Sequence, residues 1–131
     1  MNYSMSLTMD RSFDDVLPAV RDALAEQGFG IISEIDMQET LRAKIGVEID
    51  RQLILGACNP AYAHRALLAD PSIGLLLPCN VVIRSTDRGT VVEMINPQMM
   101  ADLANSPDMH LVAAEVTRKL EAAMESLCAT T

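Results

Sequence analysis

Two cysteines, each followed by asparagine and each within two residues of a proline, are the residues of this chain best suited to chemistry. Cys58-Asn59 lies in Leu55-Gly56-Ala57-Cys58-Asn59-Pro60, and Cys79-Asn80 lies in Leu75-Leu76-Leu77-Pro78-Cys79-Asn80-Val81. A thiol is a nucleophile, a redox centre and a soft donor. An asparagine amide both donates and accepts hydrogen bonds and so orients a bound group. Together they point to a pocket for a small, polarizable or sulfur-containing molecule, built from Cys58, Asn59, His64, Cys79 and Asn80 with walls from Leu55, Leu76 and Leu77. The same residues admit thiol catalysis or sulfur and redox transfer, with Cys58 as nucleophile and Cys79 assisting or resolving.

Each of these residues also has a plain structural reading. Free cysteine is among the most buried residue types. Asn59-Pro60 has the form of an N-cap followed by proline at the first helical position. Asn80 is less easily accounted for, because asparagine is depleted in strands and its amide needs a partner. The start of a helix next to Cys58 would lower the thiol pKa from about 8.5, whereas burial against Leu55 and Ala57 would raise it. Cys58, Cys79 and His64 are soft-metal donor types, but no Cys-x-x-Cys spacing accompanies them, so no metal site is expected. His110 and Cys128 receive no role. Glu34, Asp36 and Glu39 are read as helix-capping and surface carboxylates, and Lys44 and Arg65 as solvated charges. No phosphate loop, dinucleotide fingerprint, Gly-x-Ser-x-Gly or other cofactor motif is present, so no cofactor is named.

Composition narrows the partners. The chain has 131 residues and a net charge of −8, with no basic cluster to offset it. Such a charge repels phosphate backbones, and with 3% aromatic residues there is no base-stacking platform. Nucleic acid and anionic membranes are therefore excluded as expected partners. No apolar run approaches the ~18–20 residues of a membrane span. The start of the chain lacks a charged leader and an apolar signal core, so a cytoplasmic location with reduced thiols is expected. The core must be aliphatic, with nine methionines available to fill irregular gaps or line adaptable surfaces.

The elements that must position these residues follow from periodicity and punctuation. Residues 3–9 alternate as a half-buried strand. Ser12-x-x-Asp15 opens a helix carrying Phe13, Val16, Leu17, Val20 and Leu24 and ending at Gly28, with Pro18 expected to kink it or move its start. A strand over residues 30–34 precedes a short helix from Met37 to Ile45, capped by Asp36 and stopped by Gly46. Strand 52–57 is nearly all apolar and thus central, and helix 60–69 follows it. Strands 80–85 and 90–95 form a hairpin about Asp87-Arg88-Gly89. Asn96-Pro97 opens a short turn, and Ser106-Pro107 opens a long helix with Val112, Val116, Leu120, Ala123 and Leu127 on one stripe. The expected fold is a single α+β domain over residues 1–131, a mostly antiparallel sheet of about five strands with helices packed on one face.

Three segments carry a family likeness: Gly28-Phe29-Gly30 with Glu34-Ile35-Asp36; Leu55 to Pro60 with His64-Arg65-Ala66-Leu67; and Gly74 to Val81. They resemble the bacterial and archaeal family called domain of unknown function 302, over roughly residues 5–125. The resemblance implies a compact α+β fold, commonly self-associating, and it assigns no catalytic role. Three functions are thus in play: a homodimeric small-molecule binding domain, which leads; a thiol-dependent enzyme or carrier; and an interaction module whose Leu-rich 75–78 and Met-rich 94–109 segments meet another chain.

Overall fold

The computed structural model describes residues 3–104 and 106–129; Met1 and Asn2, part of the stretch read for a leader, lie outside the described residues. The order is β1 (Ser4–Met9), α1 (Phe13–Glu26), β2 (Gly30–Asp36), α2 (Met37–Ile45), β3 (Gln52–Cys58), α3 (Pro60–Ala69), a 3-10 helix (Pro71–Leu76), β4 (Cys79–Thr86), β5 (Gly89–Ile95), α4 (Gln98–Ala104) and α5 (Pro107–Ala129). The strands form one five-stranded sheet in the order β1-β5-β4-β3-β2, antiparallel at every step. This is the α+β architecture the sequence predicts.

Side-chain alternation sorts the sheet into two faces. One row runs Leu7, Val92, Ile83, Leu53 across four strands, and the next runs Met5, Met94, Val81, Leu55. Val81, Ile83, Val92 and Leu55 are fully buried. They meet Val16, Val20 and Leu24 of α1 and the α5 stripe of Val112, Val116, Leu120, Ala123 and Leu127, all buried in the same core. The opposite face carries Ile35, Ile54, Val82 and the Arg84–Glu93 ion pair (3.0 Å).

Local chemistry explains the helix boundaries. Ser12 Oγ accepts from Asp15 N at 3.2 Å, and Asp36 Oδ1 accepts from Glu39 N at 2.9 Å. Gly46 closes α2 with φ +65°, the left-handed cap that glycine takes at little cost. Ser106 Oγ accepts from Met109 N at 3.1 Å to start α5.

Four features depart from expectation, one being that the short turn expected after Asn96-Pro97 is the helix α4, which runs to Ala104. Pro18 does not move the start of α1; it lies within the helix on the exposed side. The carbonyl it leaves without a donor, that of Asp14, belongs to another exposed residue and can bond water. β2 runs on to Asp36, because Asp36 still pairs with Leu53 of β3. Residues 71–76 form a 3-10 helix, with Asp70 Oδ1 accepting from Ser72 N at 3.0 Å.

Candidate ligand cavity

Antiparallel pairing brings the two Cys-Asn motifs to one end of the sheet. Cys58 is the last residue of β3 and Cys79 the first of β4, with Ala57 and Cys79 as direct partners. A cavity of about 40 Å³ lies at this end, and both cysteines and Asn59 line it. Its other walls are apolar: Phe29 ahead of β2, Tyr62 on α3, Leu77 before β4, Met100 on α4, and Met109 and Val112 on α5. That volume exceeds the ~10–15 Å³ one water requires, and falls far short of the ~300–1,000 Å³ of a drug-sized site. As it stands, the cavity suits an ion or a molecule of a few heavy atoms.

Burial governs the thiols. Cys79 is 7% exposed. Desolvation pushes its pKa up from an ordinary 9.0 to about 11, and the neighbouring Cys58 adds to the effect. Cys79 is therefore a neutral thiol at pH 7, not a thiolate poised for attack. Cys58 is half-buried, and Cys128, exposed on α5, lies apart from both.

Asn59 holds the N-cap position of α3, but its amide does not cap that helix. Nδ2 donates instead to the Gln27 carbonyl at 3.4 Å. Pro60 at the first helical position has no N–H to satisfy, and Ala63 N bonds the Asn59 carbonyl at 2.9 Å. The start of α3 is thus left without a side-chain cap beside the cavity.

The other predicted residues lie elsewhere. Asn80 pairs with Gly56 and is exposed on the face away from the core, as alternation from Cys79 requires. His64 is exposed on α3 and does not line the cavity. Leu55 is buried within the core, Leu76 is partly exposed, and only Leu77 of the three predicted wall residues lines the cavity. Glu34 pairs with Arg21 (2.7 Å), Glu39 with Arg42 (3.1 Å) and Arg65 with Glu115 (2.7 Å). Among the described residues, no group of three or more His, Cys, Asp or Glu is placed to hold a metal.

Sequence reasoning missed Phe29, Tyr62, Met100, Met109 and Val112 as cavity residues. Only Met100 and Met109 carry an advance signal, the methionine content of residues 94–109, the segment expected above to meet another chain. Met94, Met100 and Met109 are in fact buried in this chain's own interior.

No helix among the described residues is long and apolar enough to cross a membrane. The fold is similar to that in the crystal structure of an uncharacterized conserved protein DUF302 from Bacillus stearothermophilus, with a TM-score of 0.88 and 24% identity over 96% of this chain and 98% of that one. None of the curated proteins matches the chain. A family model matches residues 5–127, which include both Cys-Asn motifs, all five strands but the first residue of β1, and the whole cavity, and the chain accordingly belongs to the family Domain of unknown function DUF302.

Proposed function

We propose that this protein binds a small ligand in the cavity at the end of β3 and β4. The observation that carries the reading is the meeting of Cys58, Asn59 and Cys79 in one nearly apolar space. Polar groups that converge in an otherwise apolar cavity orient a ligand, and the apolar walls exclude water from it. The protonated, buried Cys79 favours contact with a polarizable group over nucleophilic attack on it. Native mass spectrometry of the protein purified from its own host tests this. A bound mass present in wild type and absent from the folded Cys58→Ala/Cys79→Ala variant supports the reading. No bound mass, or one that the double variant keeps, counts against it.

A second reading, that two copies pair, draws support from the surroundings of α2. This helix buries none of its nine residues, so its own chain gives it little packing. Ile35, Ile45 and Val47 nearby are 46%, 66% and 43% exposed. Arg42 is already paired with Glu39 and Glu48, and Arg84 with Glu93. A second copy could cover this surface without burying those charges unpaired, despite the net charge of −8 on each chain.

A further inference from the structure

We propose that the cavity is a site for a soft monovalent metal ion, Cu(I), held by the sulfur atoms of Cys58, Cys79, Met100 and Met109. The inference rests on the reading of this cavity as the ligand site and names the class of ligand. Four sulfur-bearing side chains from four separate elements, β3, β4, α4 and α5, line the same small space. Both methionines are buried, at 8% and 1% exposure. They lie 42 and 51 residues beyond Cys58, so no spacing motif announces them.

The donor set decides between metals. Thiolate and thioether sulfur select Cu(I). Calcium and magnesium require six or more oxygen ligands, and this lining offers no carboxylate. Zinc prefers four nitrogen and sulfur donors, none of them thioether. His64, the histidine nearest in sequence to Cys58, stays outside the cavity, which leaves two zinc donors. Cu(I) is satisfied by two thiolates with one or two thioethers and needs no water.

Uptake is an exchange with no change of oxidation state. Two S–H bonds break, two Cu–thiolate bonds form and two protons leave to solvent, Cu⁺ + 2 RSH → [Cu(SR)₂]⁻ + 2 H⁺, and the Met100 and Met109 thioethers complete the site by lone-pair donation without releasing a proton. The product carries one negative charge. It would sit beside the start of α3, whose dipole is positive there and which has no side-chain cap.

The test is anaerobic titration of the metal-free protein with Cu(I), in competition with the chromogenic chelator bicinchoninate. All variants carry Cys128→Ser, so that the exposed thiol does not compete. The protein is expected to withdraw one equivalent of Cu(I) per chain and to show a thiolate-to-copper absorption band. Cys58→Ser/Cys79→Ser should abolish withdrawal. Met100→Leu/Met109→Leu conserves side-chain volume and should weaken binding roughly tenfold or more. Circular dichroism on each variant separates loss of ligand from loss of fold. If the parent leaves the copper with the chelator, the inference fails. If the leucine variant binds as tightly as its parent, the four-sulfur site fails. An organic mass found in the cavity without any Cu(I) affinity overturns the metal site alone; an empty cavity that also rejects copper overturns both readings.

Discussion

Asn59 Nδ2 donates to the Gln27 carbonyl at 3.4 Å, and this bond ties the end of α1 to the start of α3. Gly28, next to Gln27, has φ +86°, and a β-carbon there would lie 3.0 Å from Asn59 Nδ2. The amide that looks like a helix cap therefore serves as a clamp between two elements. It holds the wall that follows Cys58 in place.

Removing the Asn59 amide, or crowding it from Gly28, should cost stability. Asn59→Ala is expected to cost about 1 kcal/mol, the worth of one hydrogen bond. Gly28→Ala is expected to cost about 1 kcal/mol or more, from both the positive φ and the contact. The two should not add, because losing the Asn59 amide relieves the crowding at residue 28. Urea denaturation of the two single variants and the double variant measures this. Additivity within ~0.3 kcal/mol would show that the residues do not communicate.

The buried Cys79 thiol should give the metal-free protein a pH-dependent stability. Its folded pKa of about 11 lies above the ordinary 9.0, so between these values the folded chain holds a proton that the unfolded chain has lost. Stability is complete below pH 9 and falls as pH rises toward 11, by something on the order of 2–3 kcal/mol. Cys79→Ala should flatten this part of the profile when unfolding is followed against pH. Parallel profiles for wild type and variant would contradict the burial assigned to Cys79. The same burial should make Cys79 the last of the three thiols to be alkylated.

Much of this architecture was legible because its signals are local. Asp36 and Gly46 bound α2 through cap chemistry that needs only the neighbouring residues. The alternation of β1 and the five-residue stripe of α5 reflect one-sided burial, which leaves a period in the sequence. The last residues of β2 were not legible, since they depend on pairing with β3. The cavity was half legible. The two Cys-Asn repeats marked its sheet end, but Met100, Met109 and Val112 arrive from α4 and α5 through tertiary packing. Asn80 could have been excluded in advance. Once Cys79 faces the core, the residue after it faces away.

Gly56 is required by close approach. A β-carbon there would run into Ser33 Oγ and lie 2.6 Å from Pro78 Cγ. Gly56→Ala should lower stability by about 1–3 kcal/mol through overpacking. Ser33→Ala in the same chain should recover part of the loss, because one of the two obstructions is then gone. Thermal unfolding measures both effects, and an unchanged Tm for Gly56→Ala would rule out the tight packing of Pro78 on β3.

If two copies pair over α2, charge placed there should separate them. Ile35→Glu/Ile45→Glu is expected to sediment as a monomer with unchanged circular dichroism, while wild type sediments as a dimer. Both positions are exposed in the single chain, so the substitutions should leave its fold intact. A monomeric wild type at micromolar concentration, or a variant that still dimerises, would remove this surface from consideration.

The central claim is that the cavity, and not the thiols as isolated groups, is the ligand site. Ala63→Leu tests it most directly, because it fills space at the lining while leaving Cys58, Asn59 and Cys79 in place. Native mass spectrometry of wild type and this variant, both purified from the native host, gives the answer. The predicted result is a bound mass on wild type that is missing from a folded Ala63→Leu protein. The same mass on both proteins, or on neither, would contradict the account.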